Sequence, residues 1–126
     1  MILGVTGSRF QRPQRLISKL AEFMQDNGVT KLHFGDCTGW DEQAFNVAAL
    51  LGILTVSHPP EDEGFRAFCE ADVILPSKPY LPRNKDIVNA INFLIAAPDG
   101  PERQRSGTWS TVRYAKKVGV KGVVWL

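Results

Sequence analysis

Only two cysteines occur in 126 residues, Cys37 and Cys69, far apart and with no His or Cys at ligand spacing. Their scarcity argues against a disulfide framework, a zinc site and a redox CxxC pair, and it fits a reducing cytoplasm. Long apolar runs are also missing. The start Met1-Ile2-Leu3-Gly4-Val5 turns polar at Thr6, far short of a signal-peptide core or a membrane span. Charge of one sign is not in excess either. Fifteen Lys and Arg against thirteen Asp and Glu leave +2, too little to argue for nucleic acid by itself. No internal repeat or low-complexity segment appears. The expectation is one domain, residues 1–126, soluble and cytoplasmic, with a core of its own, no membrane contact, no metal and no bound cofactor.

What is present is an alternation of apolar runs and amphipathic stretches. Strands are predicted at Ile2 to Val5, Lys31 to Phe34, Ile53 to Val56, Asp72 to Leu75, Phe93 to Ala97 and Gly122 to Leu126. Leu16, Ile17, Leu20, Phe23 and Met24 share one face of a helix that follows Pro13 and stops at Asn27-Gly28. Ala44, Phe45, Ala48 and Leu51 mark a second helix. Ile87, Val88 and Ile91 mark a third, opening at Arg83-Asn84, and Val112, Ala115 and Val118 a last one that ends at Gly119. Phe65 to Glu70 predicts a further short helix, and the acidic, proline-bearing stretch His58 to Gly64 a surface loop. Pro98 to Arg105 reads as a polar loop that can act as a lid.

Apolar strands alternating with amphipathic helices predict an α/β, Rossmann-like three-layer architecture, an open and mostly parallel β-sheet flanked by helices. Ligands of such sheets bind beyond the carboxyl ends of the strands, and every unusual loop of this chain falls at such an end.

The stretch Ser106-Gly107-Thr108 joins an apolar strand to a helix start, an arrangement that offers free backbone N–H groups to an anion. An ordinary capped helix is the alternative. Arg9 and Arg83 are the cations for a phosphate, unless they pair with Asp36, Asp41 or Asp86. Asp36 and Asp41 suit ribose hydroxyls, which need acceptors, though Asp41 also suits a helix N-cap. Asn84 is a base reader or a cap. Trp40 and Trp109 are placed either to stack on a base or to fill the core, and Tyr80 to gate a pocket. His33 reads as structural. His58, at a strand end, is the better base but has no orienting partner in the sequence.

Four motifs occur in order: Gly7-Ser8-Arg9, the Gly-Asp-x-x-Gly-x-Asp run from Gly35 through Asp36, Thr38 and Gly39 to Asp41, Arg83-Asn84, and Ser106-Gly107-Thr108 ahead of a helix. Together they resemble the SLOG superfamily, which unites Smf DNA-processing proteins with Lonely Guy phosphoribohydrolases. The resemblance spans nearly the whole chain. It implies a Rossmann-like pocket, built from those motif residues, for a nucleotide, a nucleotide-derived signal or single-stranded DNA. It also implies self-association, with a dimer through the second or third helix. The Lonely Guy pattern Gly-Gly-x-Gly-Thr-x-x-Glu departs here, because its glutamate position is Thr111. A threonine hydroxyl is no carboxylate base. The resemblance therefore implies ligand binding first, N-glycosidic hydrolysis of a nucleoside 5'-monophosphate second, and Smf-type DNA binding third.

Overall fold

A computed structural model describes residues 1–126. The chain runs β1 (Ile2–Gly7), α1 (Gln14–Asp26), β2 (Lys31–Phe34), α2 (Trp40–Leu50), β3 (Leu54–Ser57), a single 3-10 turn at Glu63–Phe65, β4 (Val73–Ile74), α3 (Tyr80–Asn89), β5 (Phe93–Ala97), α4 (Gly107–Val118) and β6 (Lys121–Val124). All six strands pair in parallel, in the order β4-β3-β2-β1-β5-β6. The expected three-layer α/β sheet is therefore observed. Leu16, Leu20, Trp40, Ala44 and Ala48 of α1 and α2 bury against one face with Leu3, Val5, Leu32 and Phe34. Ile87, Val88, Trp109, Val112 and Ala115 of α3 and α4 cover the other face with Leu94 and Ala96.

The chain steps outward from β1 to β4, then returns to lay β5 on the opposite side of β1. That reversal makes the gap between the carboxyl ends of β1 and β5 a topological switch point, where open α/β sheets place their ligands. At the outer edge, β4 has only two residues, and Val73 and Ile74 are both exposed. Its approach to β3 is held by Asp72, whose Oδ2 accepts from the Thr55 N–H at 2.8 Å and the Thr55 hydroxyl at 3.1 Å.

Several local expectations are corrected. No helix forms over Phe65 to Glu70, because the segment is tied to the β2 end instead: Ala67 N–H donates to the Asp36 carbonyl at 2.8 Å, and Phe68 turns through φ +56°. The stretch after β3 is not all surface loop. His58, Pro59 and Pro60 are buried, and Pro60 bridges to Lys78. Helix α3 begins at Tyr80 rather than Arg83, which puts Pro82 in its first turn, where a missing N–H is harmless. Asp41 is not the N-cap of α2. That place belongs to Gly39 at φ +84°, where an added Cβ would overlap the Arg9 backbone. The last strand is Lys121–Val124, and Trp125 beyond it is buried. No helix is long and apolar enough to cross a membrane.

Candidate functional site

A cleft of about 480 Å³ opens at the β1/β5 switch point, within the ~300–1,000 Å³ range of small-molecule sites. Of the sequence candidates, Gly7, Ser8, Arg9, Asp41, Arg83, Asn84, Ser106, Gly107 and Thr108 line it. Gly35, Asp36, Thr38 and Gly39 do not. Thr6, Phe10, Cys37, Tyr80, Leu81, Asp99, Arg103 and Arg105 complete the wall. Segments remote along the chain thus meet at one mouth.

The candidates outside the wall hold the site together. Asp36, fully buried, sits at φ +56° and spends both carboxylate oxygens on the segment after the 3-10 turn. Its Oδ1 accepts from Cys69 N–H at 2.9 Å and its Oδ2 from Arg66 Nε at 3.1 Å. No oxygen is left for a ribose. The Thr38 hydroxyl donates to the Arg9 carbonyl at 3.0 Å, bracing the loop after β1.

Arg83 is 6% exposed and has no carboxylate in ion-pair range. Its Nη1 donates to the Gly35 carbonyl and to the His58 carbonyl at 3.1 Å, and its Nε to Asn84 Oδ1 at 2.7 Å. Nη2 meets no oxygen, only the Cys37 sulfur at 3.9 Å. Asp41 grips the same residue from its other side, accepting the Gly35 N–H at 3.1 Å. A side chain at position 35 would collide with both the guanidinium and the carboxylate. Glycine there is what lets an arginine and an aspartate share one residue's backbone without touching.

Asp41 Oδ1 is buried and has no hydrogen-bond partner. Burial pushes its carboxyl up to about 6, against the opposing pull of Arg83 and the Cys37 and Gly35 N–H donors. Between the ordinary 3.8 and that raised value the folded chain holds a proton that the unfolded chain has released. Stability from this group therefore falls as pH rises through that interval. Asp41→Asn keeps the shape and removes the titration, so it should gain about 3 kcal/mol on the wild type between about pH 4 and pH 6.5. Urea midpoints across that range measure it, and a pH-independent difference would show that Asp41 titrates normally.

Behind Arg83, His58 has a partner that the sequence reading did not supply. His33 Nδ1 lies 2.7 Å from His58 Nε2, both rings buried. Burial, then the neighbouring imidazole, pushes His58 down to about 4, so the pair stays neutral at physiological pH. The residues lie in neighbouring strands, with His33 of β2 in register with Val56, two residues before His58. Cys37 is no reactive thiol, because burial pushes it up to about 11.

The opposite wall is the start of α4. Ser106 caps it, its Oγ accepting from Trp109 N–H at 3.2 Å. The Gly107 and Thr108 N–H groups have no partner in the protein, and both residues line the cleft at the positive end of the helix dipole. Thr111 points inward and donates to the Gly107 carbonyl at 2.8 Å. The loop after β5 is strapped down rather than free. Trp109 Nε1 donates to the Gly100 carbonyl at 3.2 Å, and Arg113 donates to the Glu102 carboxylate at 3.1 Å and the Gln104 carbonyl at 3.2 Å. Trp40 is fully buried in the core and Trp109 nearly so. Of the four arginines at the cleft, Arg103 is paired with Asp99 at 3.2 Å, while Arg9 and Arg105 have no acidic partner.

No protein-family model matches the chain, and no curated protein matches it in sequence. Solved structures do match in shape. The molybdenum cofactor binding protein from the phototrophic bacterium Rippkaea orientalis superposes with a TM-score of 0.75 at 23% identity, over 98% of this chain and 74% of that one. This is a fold shared with molybdenum cofactor carriers and DNA processing proteins. The molybdenum cofactor carrier protein of Chlamydomonas reinhardtii gives a TM-score of 0.69 at 23% identity, over 98% of this chain and 74% of that one. DNA processing protein A from Helicobacter pylori gives 0.72 at 20% identity, over 98% of this chain and 64% of its own length.

Proposed function

We propose that the chain is a SLOG-like binding protein whose cleft takes the phosphate of a nucleotide or nucleotide-derived small molecule. Arg83 carries the reading. A buried guanidinium with no carboxylate in ion-pair range keeps one terminal nitrogen unspent, across a cleft from two unspent amides at a helix start. Desolvating a cation in this way is costly unless an anion completes it.

In this reading Arg83, Gly107 and Thr108 hold the phosphate, Arg9 and Ser8 close over it from the β1 loop, and Asp41 forms part of the wall beside it. Charge-assisted hydrogen bonds contribute about 1.5–3 kcal/mol each and the helix start about 0.3–1. Together these approach the ~8 kcal/mol of micromolar affinity. The fold relatives that carry or bind molybdenum cofactor support a nucleotide-type cargo near the strand ends. Calorimetric titration with AMP, ADP-ribose, cyclic nucleotides and molybdenum cofactor tests the reading. A dissociation constant of about 1–100 μM is expected for at least one of them, and silence from folded protein removes the proposal. A single-stranded oligonucleotide in the same panel tests the kinship with DNA processing protein A, whose binding mode would weaken steeply with salt.

A second reading has one observation of its own. Asp41 supplies a buried carboxyl in the cleft wall, raised to about 6 and with one oxygen that no protein group bonds, the properties of a general acid or base near neutral pH. N-glycosidic hydrolysis of a nucleoside 5'-monophosphate would then run without the glutamate that Thr111 replaces. Base release that disappears in Asp41→Asn supports it, and no turnover at high enzyme concentration removes it.

A further inference from the structure

We infer that Phe10 is the docking shelf for a planar heteroaromatic ring of the ligand, which makes the cargo a base-bearing phosphomonoester rather than a bare sugar phosphate. The inference rests on the phosphate reading above and adds the part of the ligand that reading leaves open.

Phe10 lines the cleft and is 71% exposed. Most of the chain's aromatic rings lie against another ring or beneath a cation: Phe23, Phe34, Trp40, Phe45, Phe93 and Trp125 meet rings, and Phe65, Phe68, Tyr80 and Tyr114 meet Arg or Lys. Trp109 is buried, with its indole N–H on Gly100. Phe10 alone has an open face, no partner and no burial.

A lone exposed phenylalanine on a floppy loop would mean nothing. This loop is not floppy. Ser8 N–H donates to the Ala97 carbonyl and the Ser8 carbonyl accepts from Trp40, both at 3.0 Å. Phe10 N–H donates to Ser8 Oγ at 3.0 Å, and Arg12 exchanges two hydrogen bonds with the Gln43 amide at 2.9 and 3.0 Å. Residues on both sides of Phe10 are thus anchored to α2 and β5, and the backbone holds the residue at the mouth of the cleft. Such rigidity lowers the entropy lost when a ligand stacks there. Arg9, beside it, is already engaged over Phe65 at 4.4 Å, which keeps that guanidinium off the Phe10 ring and leaves the ring's face to the ligand.

The test compares AMP with ribose 5-phosphate by calorimetry on wild type, Phe10→Ala and Phe10→Trp. Stacking is base-tolerant and predicts that wild type prefers AMP by about 5- to 150-fold. Phe10→Ala should bind AMP only as tightly as wild type binds ribose 5-phosphate, and Phe10→Trp should restore the preference. Equal affinities in wild type, or an AMP preference that survives Phe10→Ala, overturn the shelf while leaving phosphate binding standing. Failure of both ligands to bind folded wild type overturns the shelf, and the phosphate reading falls with it when the rest of the panel is silent too.

Discussion

In urea unfolding, Asp36→Ala is expected to lose about 3–5 kcal/mol, a large share of the ~5–15 kcal/mol that holds an ordinary domain together. The carboxylate is fully buried and both oxygens are used, on Cys69 N–H and Arg66 Nε. Alanine strands that amide and that guanidinium. It also places a Cβ-bearing residue with no compensating side-chain hydrogen bond at φ +56°, a backbone region that Asp and Asn tolerate best. Asp36→Asn separates the contributions, since it keeps an acceptor for Cys69 and the tolerance for positive φ but loses the charge and the acceptor that faces Arg66. It should recover at least half of the deficit. An Asp36→Ala variant within about 1 kcal/mol of wild type would show that the segment after the 3-10 turn is not pinned by this residue.

The second large effect concerns Arg83. Arg83→Ala should weaken AMP binding by about 10- to 150-fold, the loss of one charge-assisted contact from Nη2 to phosphate. Arg83→Lys should recover little, because a single ammonium cannot hold the Gly35 and His58 carbonyls and the ligand in one plane. Those two carbonyls are left bare in the alanine variant, so its urea midpoint must be measured beside its affinity. A folded Arg83→Ala that binds AMP within about threefold of wild type removes the residue from the phosphate contact.

The layers of the molecule were legible from the spacing of Leu16, Leu20 and Met24 and from the apolar run Phe93 to Ala97, because burial on both faces of a parallel sheet leaves little room for another pattern. Short-range chemistry also read well at Gly119, the stop of α4, whereas the cap at its start is Ser106 rather than Thr108, Ser110 or Thr111. Long-range chemistry did not. Asp36 and Asp41 are alike in sequence, yet one is consumed by Arg66 and Cys69, partners about thirty residues away, while the other keeps a buried oxygen without a partner in the cleft wall. Only the β4-side loop folding back on β2 decides which. For Trp40 and Trp109 the core reading holds over the stacking one, and the most exposed ring is Phe10, which nothing local singles out. The partner of His58 was equally hidden, since it lies on the adjacent strand.

The brevity of β4 has a consequence for the behaviour of many copies together. A sheet margin of two residues, Val73 and Ile74, offers an incoming chain too few backbone groups to template further pairing. Substitutions that extended this margin, such as replacing Pro76 with valine, would trade that protection for a tendency to polymerise into fibres.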